Sequence, residues 1–248
     1  MNWVWLHKLG SPKWFYQSFK RWPTPLFVIA SVLLITALIW GLAFAPEDYQ
    51  QGNSFRIIYL HVPAAILAQS CYLALGLAGL IFLVWKIKMA PLFMRAVAPL
   101  GALMAFVALA SGAIWGKPTW GTWWVWDARL TSVLILLFLY FGIMAIQNAL
   151  EDRSVADKTA AVIGLLGLLN LPIIKYSVVW WNTLHQGASF KLTEKPSMPV
   201  EMWLPLLLSV IAFYLLTAAL VLWRIETQIM QTEARSEWLK TEVLKDGI

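Results

Sequence analysis

Charge and cysteine are both scarce in this chain. Only 13% of its 248 residues are charged, whereas 60% are hydrophobic. A soluble domain of this length could not bury so much apolar surface. Several apolar runs reach the roughly 20 residues with which a helix crosses the hydrocarbon core of a bilayer. The composition therefore excludes a soluble domain and predicts an all-α, polytopic membrane protein.

The residues that usually carry reactive chemistry are few. Cys71 is the sole cysteine, so an intramolecular disulfide and a CxxC redox site are excluded. His61 and His185, without an outward-facing cysteine, supply too few ligands for a zinc site. No Ser–His–Asp or paired-carboxylate set is apparent, so we expect no catalytic residues. The net charge of +6 indicates membrane lipid, and not nucleic acid, as a partner.

Six membrane spans are predicted from the apolar runs. Their approximate ranges are 25–45, 57–85, 96–114, 130–150, 159–179 and 202–223. Pro63 indicates that the second helix begins near this residue or kinks there, because proline in a helix interior costs about 3 kcal/mol. Both possibilities place His61 in irregular backbone at the edge of the membrane. No signal peptide is apparent before residue 25, so we expect the first span to act as an uncleaved targeting signal.

The predicted spans divide the chain into three parts. Residues 1–24 mix basic and aromatic side chains, which suits a segment lying along the cytoplasmic membrane surface, and His7 within it is expected to have no role. Residues 25–223 form the six-helix transmembrane domain, with an outward tryptophan-rich loop at 115–129. Residues 224–248 form a charged, helical cytoplasmic tail.

Basic residues are concentrated on alternate connections between the spans. Thirteen of the nineteen Lys and Arg residues lie in the N-terminal segment, in residues 86–95 and 151–158, and in the tail. Cytoplasmic loops of membrane proteins carry the excess of basic residues, so both termini are predicted to be cytoplasmic. The tryptophan-rich loop, His61 and His185 then share the outer face.

Aromatic side chains crowd residues 115–127, WGKPTWGTWWVWD, which hold five of the sixteen tryptophans. Gly116, Pro118 and Gly121 predict a loop, because glycine and proline disfavour a long helix. An aromatic belt at the lipid interface is the simpler interpretation, but a belt spreads its tryptophans over many helix ends. Five tryptophans in one glycine-containing loop indicate a flat surface that binds a ligand.

His61 and His185 flank this loop on the same predicted face. For each histidine alone, a hydrogen-bonded interfacial residue is the simplest alternative. Aromatic walls together with two imidazoles suit haem, whose iron can take an imidazole on each side. The haem propionates need cations or helix N-termini, and Arg56, Arg129 and Lys117 are the candidate cations. Each of these three could instead anchor the chain at the interface.

Asp127 immediately precedes the fourth predicted span. Its position before Ala128 and Leu130 predicts an N-cap, in which the carboxylate accepts a backbone N–H of the first helical turn. The alternative is that Asp127 orients a residue of the site. As the lone acid of its loop, it does not belong to a paired-carboxylate centre.

Residues 120–127, WGTWWVWD, match the W-G-x-x-W-x-W-D motif of the WWD family of haem-handling proteins. With its length, its six spans and one histidine in each loop flanking the motif, the chain resembles the haem exporter protein C (CcmC) family of bacterial cytochrome c maturation. The stretches IIYLHVPAA and WWNTLHQG, around His61 and His185, extend the resemblance to the whole chain. The larger haem lyases have many more spans and additional histidines, and they fit poorly.

The resemblance implies a multi-pass protein of the bacterial inner membrane that binds b-type haem transiently at the outer face. It would deliver the haem to the periplasmic haem chaperone CcmE, and would work with the ABC-transporter subunits CcmA and CcmB and the small membrane protein CcmD. His61 and His185 would be the axial ligands of the iron. It would be a haem-handling protein and not an enzyme, although one able to assist covalent loading of its partner. The residues expected to bind haem are His61, His185, Trp115, Trp120, Trp123, Trp124, Trp126, Asp127, Arg56 and Arg129.

Three other functions remain open. A b-type membrane cytochrome would hold haem permanently for electron transfer, but it usually has its histidines inside the spans. A transporter or channel would need polar groups along a path through the membrane, and Asn170 and Lys175 are the obvious candidates. A purely structural subunit would leave the tryptophan cluster without a cause.

Overall fold

A computed structural model describes residues 8, 10–181, 183–185 and 198–246, and within them the chain is helical, with no β-strand. Helices satisfy every backbone hydrogen bond within the segment, as a hydrocarbon environment requires. The described helices are α1 Pro12–Phe19, α2 Pro23–Ile39, α3 Ile58–Trp85, α4 Met89–Trp120, α5 Ala128–Ala149, α6 Arg153–Gly167, α7 Asn170–Trp180, α8 Val200–Thr232 and α9 Glu237–Asp246. A π-helical turn, Trp40–Phe44, extends α2, and a 3₁₀ turn, Asn53–Ile57, leads into α3.

Six helical stretches are long and apolar enough to cross a membrane. They are Pro23–Phe44, Asn53–Trp85, Met89–Trp120, Ala128–Ala149, Arg153–Trp180 and Val200–Thr232. The chain is therefore a multi-pass membrane protein, and the prediction of an all-α fold with six spans is confirmed.

The helix α3 lies at the centre of the bundle, packed against α4, α6 and α8. Small residues allow the backbones of α3 and α6 to approach closely, as is common between membrane helices. A Cβ atom built on Gly79 would lie 3.0 Å from the carbonyl oxygen of Ala161, and one on Gly164 would lie 2.7 Å from Cδ2 of Leu75. In contrast, α2 packs mainly on α8, and few of its side chains are fully buried.

Pro63 does not mark the start of α3, which begins at Ile58. The prediction of irregular backbone around His61 is therefore wrong, because His61 lies near the beginning of a regular helix. Pro63 has no N–H to donate to the carbonyl of Tyr59. That carbonyl accepts a hydrogen bond from Oγ of Ser209, on α8, at 2.6 Å. The neighbouring helix thus satisfies the group that proline leaves free.

Helix α4 is longer than the third predicted span and continues through Trp120. The predicted loop at 115–129 is therefore wrong for its first six residues, and the irregular segment covers residues 121–127. Pro118 removes one backbone N–H near the end of the helix. Gly121, whose φ of +78° favours glycine, terminates it by donating its N–H to the carbonyl of Lys117 at 3.1 Å.

The fifth span is broken into two helices, α6 and α7, instead of forming one helix over 159–179. Pro172 cannot donate a hydrogen bond to the carbonyl of Leu168, which accepts the N–H of Leu171 at 3.1 Å in a tighter turn. The amide of Asn170 donates to the carbonyl of Ser132, on α5, at 2.8 Å. This polar residue within the span thus fixes the start of α7 against its neighbour.

The two ends of the chain pack together. Helix α8 runs without interruption past the predicted end of the sixth span to Thr232, and α9 then contacts α1. The rings of Tyr16 and Trp238 lie 6.0 Å apart, and the amide of Gln17 donates to Glu242 at 3.0 Å. The predicted segments 1–24 and 224–248 therefore contact each other through α1 and α9, and their assignment to the cytoplasmic side stays a prediction. His7 lies outside the described residues.

Candidate functional site

The structure brings His61 and His185 together, although they lie far apart in sequence. Their ring centres are 6.2 Å apart and the ring planes are inclined by 39°. Two axial imidazoles on one iron, each about 2 Å from the metal and with the ring centre roughly 1 Å further out, give about 6 Å between ring centres. The distance between the two ring centres therefore matches that of two imidazoles on one metal ion. Within the described parts of the chain, no group of three or more His, Cys, Asp or Glu residues could hold a metal ion.

His61 is buried against one face of α4. Its Nδ1 atom lies 3.0 Å from Oγ of Ser111, and its ring meets the indole of Trp115 edge to face at 5.6 Å. A Cβ atom on Gly112 would lie 3.0 Å from Cε1 of His61, so the close approach of this ring depends on having glycine at position 112. Helix α4 therefore positions the histidine that α3 carries.

His185 follows α7 in a non-helical segment and packs against a second tryptophan of α4. Its ring meets the indole of Trp120 edge to face at 5.5 Å, and its backbone N–H donates to Oγ1 of Thr183 at 3.0 Å. Burial lowers the pKa of His185 from 6.5 to about 3, and the positive charge of Arg129 acts in the same direction, as does the neighbouring His61 when it is protonated. The imidazole is therefore neutral at physiological pH, which is the form that binds metals.

Only two of the five predicted tryptophans contact the histidines. Trp115 and Trp120 both belong to α4, and a Cβ atom on Gly116 would lie 2.9 Å from the Trp120 ring, so glycine makes room for this indole. Nε1 of Trp115 donates to Oε1 of Gln51, in the connection between α2 and α3, at 2.7 Å. These contacts fix both indoles beside the imidazoles.

The remaining three tryptophans lie in the irregular segment, where Trp123 and Trp126 are exposed and Trp124 is half-buried. Trp123 is 56% exposed and Trp126 is 77% exposed, and the ring of Trp126 meets that of Trp124 edge to face at 5.4 Å. An open cavity of about 300 Å³ lies beside them, lined by Val125, Trp126, Asp127, Thr183 and Leu184. The structure thus separates the tryptophans into two that touch the histidines, two that are exposed and Trp124, which is half-buried.

Asp127 caps helix α5, as its position predicted. Its Oδ1 atom accepts the backbone N–H of Leu130 at 2.7 Å. Its Oδ2 atom is buried and has no hydrogen-bond partner among the described residues. The capping prediction is confirmed, and the second oxygen stays available to a group that binds here.

The three predicted cations occupy different surroundings. The guanidinium of Arg56 donates to the carbonyls of Leu42 and Ala45, so it closes the end of the first span. Lys117 donates to the carbonyl of Gly121 at 3.1 Å. Because these bonds engage both side chains, the geometry gives no support to their role in propionate binding, which stays a prediction.

Arg129 has the weakest bonds of the three and the clearest link to the histidines. It makes long contacts to Oγ of Ser177 at 3.4 Å and to the carbonyl of Lys175 at 3.5 Å, both on α7. Its charge contributes to the lowered pKa of His185. Of the three predicted cations, Arg129 is therefore the one whose charge acts on His185.

Sequence reasoning missed three residues that support the site. They are Ser111, Gly112 and Gln51. Ser111 lies one helical turn before Trp115, on the same face of α4. Extending the predicted third helix through Trp115 would therefore have placed the two side chains next to each other. Gln51 carries no comparable signal, because its contact with Trp115 depends on the path of a loop.

The chain matches proteins of one family over nearly its whole length. The family model "Heme exporter protein C" matches residues 5–240. "Heme exporter protein C" of Escherichia coli (strain K12) is 50% identical over 246 residues, covering 99% of both chains, and that of Haemophilus influenzae is 48% identical, covering 96% of this chain and 97% of the relative. A "Putative cytochrome c biosynthesis ccmC-like mitochondrial protein" of Marchantia polymorpha is 43% identical, covering 75% of this chain and 78% of the relative. The chain belongs to the heme exporter protein C (CcmC) family.

Proposed function

We propose that this protein binds haem at the outer face of a bacterial inner membrane and delivers it for cytochrome c maturation. The observation that carries the proposal is the pairing of His61 and His185, whose ring centres are 6.2 Å apart. Trp115 and Trp120 place an indole against each of the two rings. The names of the relatives, which refer to haem export and cytochrome c biosynthesis, support the same function.

The chemistry of the pair suits a cargo that is held and then released. Imidazole is a common axial ligand of haem iron. Two neutral imidazoles would hold the haem through the iron alone, with no covalent bond between the protein and the porphyrin, so the haem could be released. The guanidinium of Arg129 supplies positive potential that acts on His185. Such potential suits the two propionates of b-type haem.

The recipient of the haem is a periplasmic chaperone of the CcmE type. The indoles of Trp123 and Trp126 are mostly exposed beside the open cavity that Asp127 helps to line, and they form the docking surface. The ABC-transporter subunits CcmA and CcmB and the small membrane protein CcmD are the further partners. The protein handles haem and is not an enzyme, and the bond to haem is made by the histidine of the chaperone.

A b-type membrane cytochrome is the second candidate, and the place of His61 inside α3 favours it. His185 argues against it, because this residue lies in a non-helical segment beside an open cavity. A cytochrome would keep its haem when mixed with the chaperone and would cycle between ferric and ferrous states during electron transfer. A haem-delivery protein would lose its haem to the chaperone.

The test compares three histidine variants after purification with haem. We expect His61→Ala and His185→Ala each to change the absorption spectrum from six-coordinate to five-coordinate haem and to abolish transfer to the chaperone. Added imidazole should restore part of the spectrum by filling the empty axial position. His7→Ala is the control and should behave as the wild type. Wild-type spectra and transfer in both His61→Ala and His185→Ala would rule out the assignment.

A further inference from the structure

We propose that Ser111 sets the tautomer of His61, so that Nδ1 carries the proton and Nε2 is left with the lone pair that binds metal. The proposal rests on the proposed function, because it concerns the preparation of one of the two ligands. It adds a positioning residue on α4 to a site whose ligands come from α3 and from the segment after α7.

The hydroxyl proton of Ser111 is engaged along its own helix. Oγ lies 2.6 Å from the carbonyl oxygen of Val107 and 3.3 Å from that of Ala108. A carbonyl oxygen can only accept, and a serine hydroxyl has a single proton to donate. The short contact with Val107 therefore takes that proton, and Oγ has only its lone pairs left for other partners.

The imidazole of His61 must then be the donor in its contact with Ser111. Nδ1 lies 3.0 Å from Oγ, which is an ordinary hydrogen-bond distance. Because Oγ can only accept here, Nδ1 carries the hydrogen. In a neutral imidazole one nitrogen is protonated and the other is not, so Nε2 has the free lone pair.

Packing also fixes the position of the His61 ring. Gly112 follows Ser111 and lets the ring lie against α4, since a Cβ atom there would lie 3.0 Å from Cε1. Trp115, one turn further along, meets the ring edge to face, and its own indole N–H is fixed by Gln51 at 2.7 Å. His61 is only 9% exposed, so little space is left for the imidazole to turn over.

This arrangement prepares a ligand before the metal arrives. A histidine that binds metal usually donates its other ring N–H to a fixed acceptor, which selects the tautomer and orients the ring. Ser111 supplies that acceptor from a neighbouring helix, on which the backbone carbonyl of Ala108 is a second acceptor for the same imidazole. Loss of such a partner typically weakens metal binding by about 10-fold to 100-fold.

The first test reads the tautomer without haem. The protein, labelled with ¹⁵N-histidine and reconstituted in bilayers, is studied by solid-state NMR, and His61→Gln assigns the His61 signals. We expect a protonated Nδ1 and an unprotonated Nε2 in the wild type, and a mixture of tautomers in Ser111→Ala. The control is Ser132→Ala, on α5, because Ser132 is also buried and donates to the carbonyl four residues earlier at 2.6 Å but contacts neither histidine.

The second test uses the haem-loaded protein. We expect Ser111→Ala to weaken haem retention by about 10-fold or more and to shift the electron paramagnetic resonance spectrum of the ferric iron. Ser111→Thr keeps the hydroxyl and should restore both properties. Ser132→Ala should match the wild type, which separates the effect on the ligand from a general loss of packing.

The outcomes distinguish this proposal from the function on which it rests. A wild-type signal showing Nε2 protonated, or a Ser111→Ala protein with unchanged tautomer and unchanged haem spectrum, overturns the role of Ser111. A protonated Nδ1 that is lost in Ser111→Ala supports that role, even where His61→Ala leaves the haem spectrum unchanged. That last result would overturn the axial-ligand assignment alone.

Discussion

The side chain of His185 is kept neutral by its surroundings. Removal from water disfavours the imidazolium, and the guanidinium of Arg129 repels a second positive charge. A protonated imidazole cannot bind metal, so these conditions keep His185 ready to coordinate over the physiological range of pH. His61 obtains its orientation differently, from the hydrogen bond with Ser111.

The lowered pKa of His185 predicts how stability depends on pH. The folded pKa is about 3 and the unfolded value is 6.5, so between these values the unfolded chain binds more protons. This contribution to the free energy of unfolding is therefore intact above about pH 6.5 and decreases as the pH falls, by at most about 1.4 kcal/mol per pH unit. Thermal unfolding in detergent between pH 7 and 4 should show a shallower decline for His185→Gln than for the wild type.

His7→Gln is the control for this pH series and should follow the wild-type curve. If His185→Gln has the same pH dependence as the wild type, the histidine is not buried as a neutral group. The comparison needs haem-free protein, because bound haem would stabilise the folded state by mass action.

At the scale of the helix, α4 organises the site. This helix carries three side chains that contact a histidine, those of Ser111, Trp115 and Trp120. It also carries Gly112, whose lack of a side chain leaves space for the ring of His61. A rigid helix can hold side chains with a precision that a loop does not reach. The extension of α4 through Trp120 thus has a functional consequence, since both contacting indoles are fixed by regular backbone.

Two glycines allow a matched test of this arrangement. Gly112→Ala places a methyl group 3.0 Å from His61, whereas a Cβ atom at Gly142, on α5, meets nothing within 4 Å. We expect Gly112→Ala to displace the imidazole and weaken haem retention by roughly 10-fold, with membrane accumulation little changed. Gly142→Ala should retain haem and change helix stability by no more than about 1 kcal/mol. Equal haem retention in the two variants would show that the approach of His61 to α4 is unimportant.

At the scale of the whole molecule, an even number of candidate spans predicts that both termini lie on the same side of the membrane. The contact between α1 and α9 is consistent with this arrangement, because Tyr16 packs against Trp238 there. The histidine pair lies at the opposite end, against the last turns of α4 before Gly121. The excess of Lys and Arg at the end that carries both termini predicts that this end is cytoplasmic.

Cysteine labelling in intact cells tests the orientation. Cys71 is buried and is first replaced by alanine, after which single cysteines are introduced at the exposed positions Thr119 and Ser154. A membrane-impermeant reagent should label position 119 in intact cells and position 154 only after the cells are opened. Labelling of position 154 but not of 119 in intact cells would reverse the topology.

Much of the fold followed from local sequence, because a membrane span needs only length and apolarity. Helix ends were predicted less well. Pro63 and Pro118 were expected to interrupt helices, but Ser209 satisfies the carbonyl that Pro63 leaves free, and Gly121 ends α4 only after Pro118. Pro172, in contrast, does break its span, since the chain there adopts a tighter turn. Each proline removes one backbone hydrogen bond, but contacts with neighbouring helices determine whether the helix continues past it.

The sequence by itself determined the class of protein, the motif at residues 120–127 and the two histidines worth testing. Composition, motif and residue type are local properties, so no packing was needed to recognise them. The tertiary structure alone decided that His61 and His185 meet, that Trp115 and Trp120 are the indoles beside them, and that Ser111 holds His61. These contacts join residues from segments far apart in the chain, and the periodicity of one segment does not predict which side chains of another segment it will meet. The physical reason is that helix packing, and not propensity, sets distances between segments far apart in the chain.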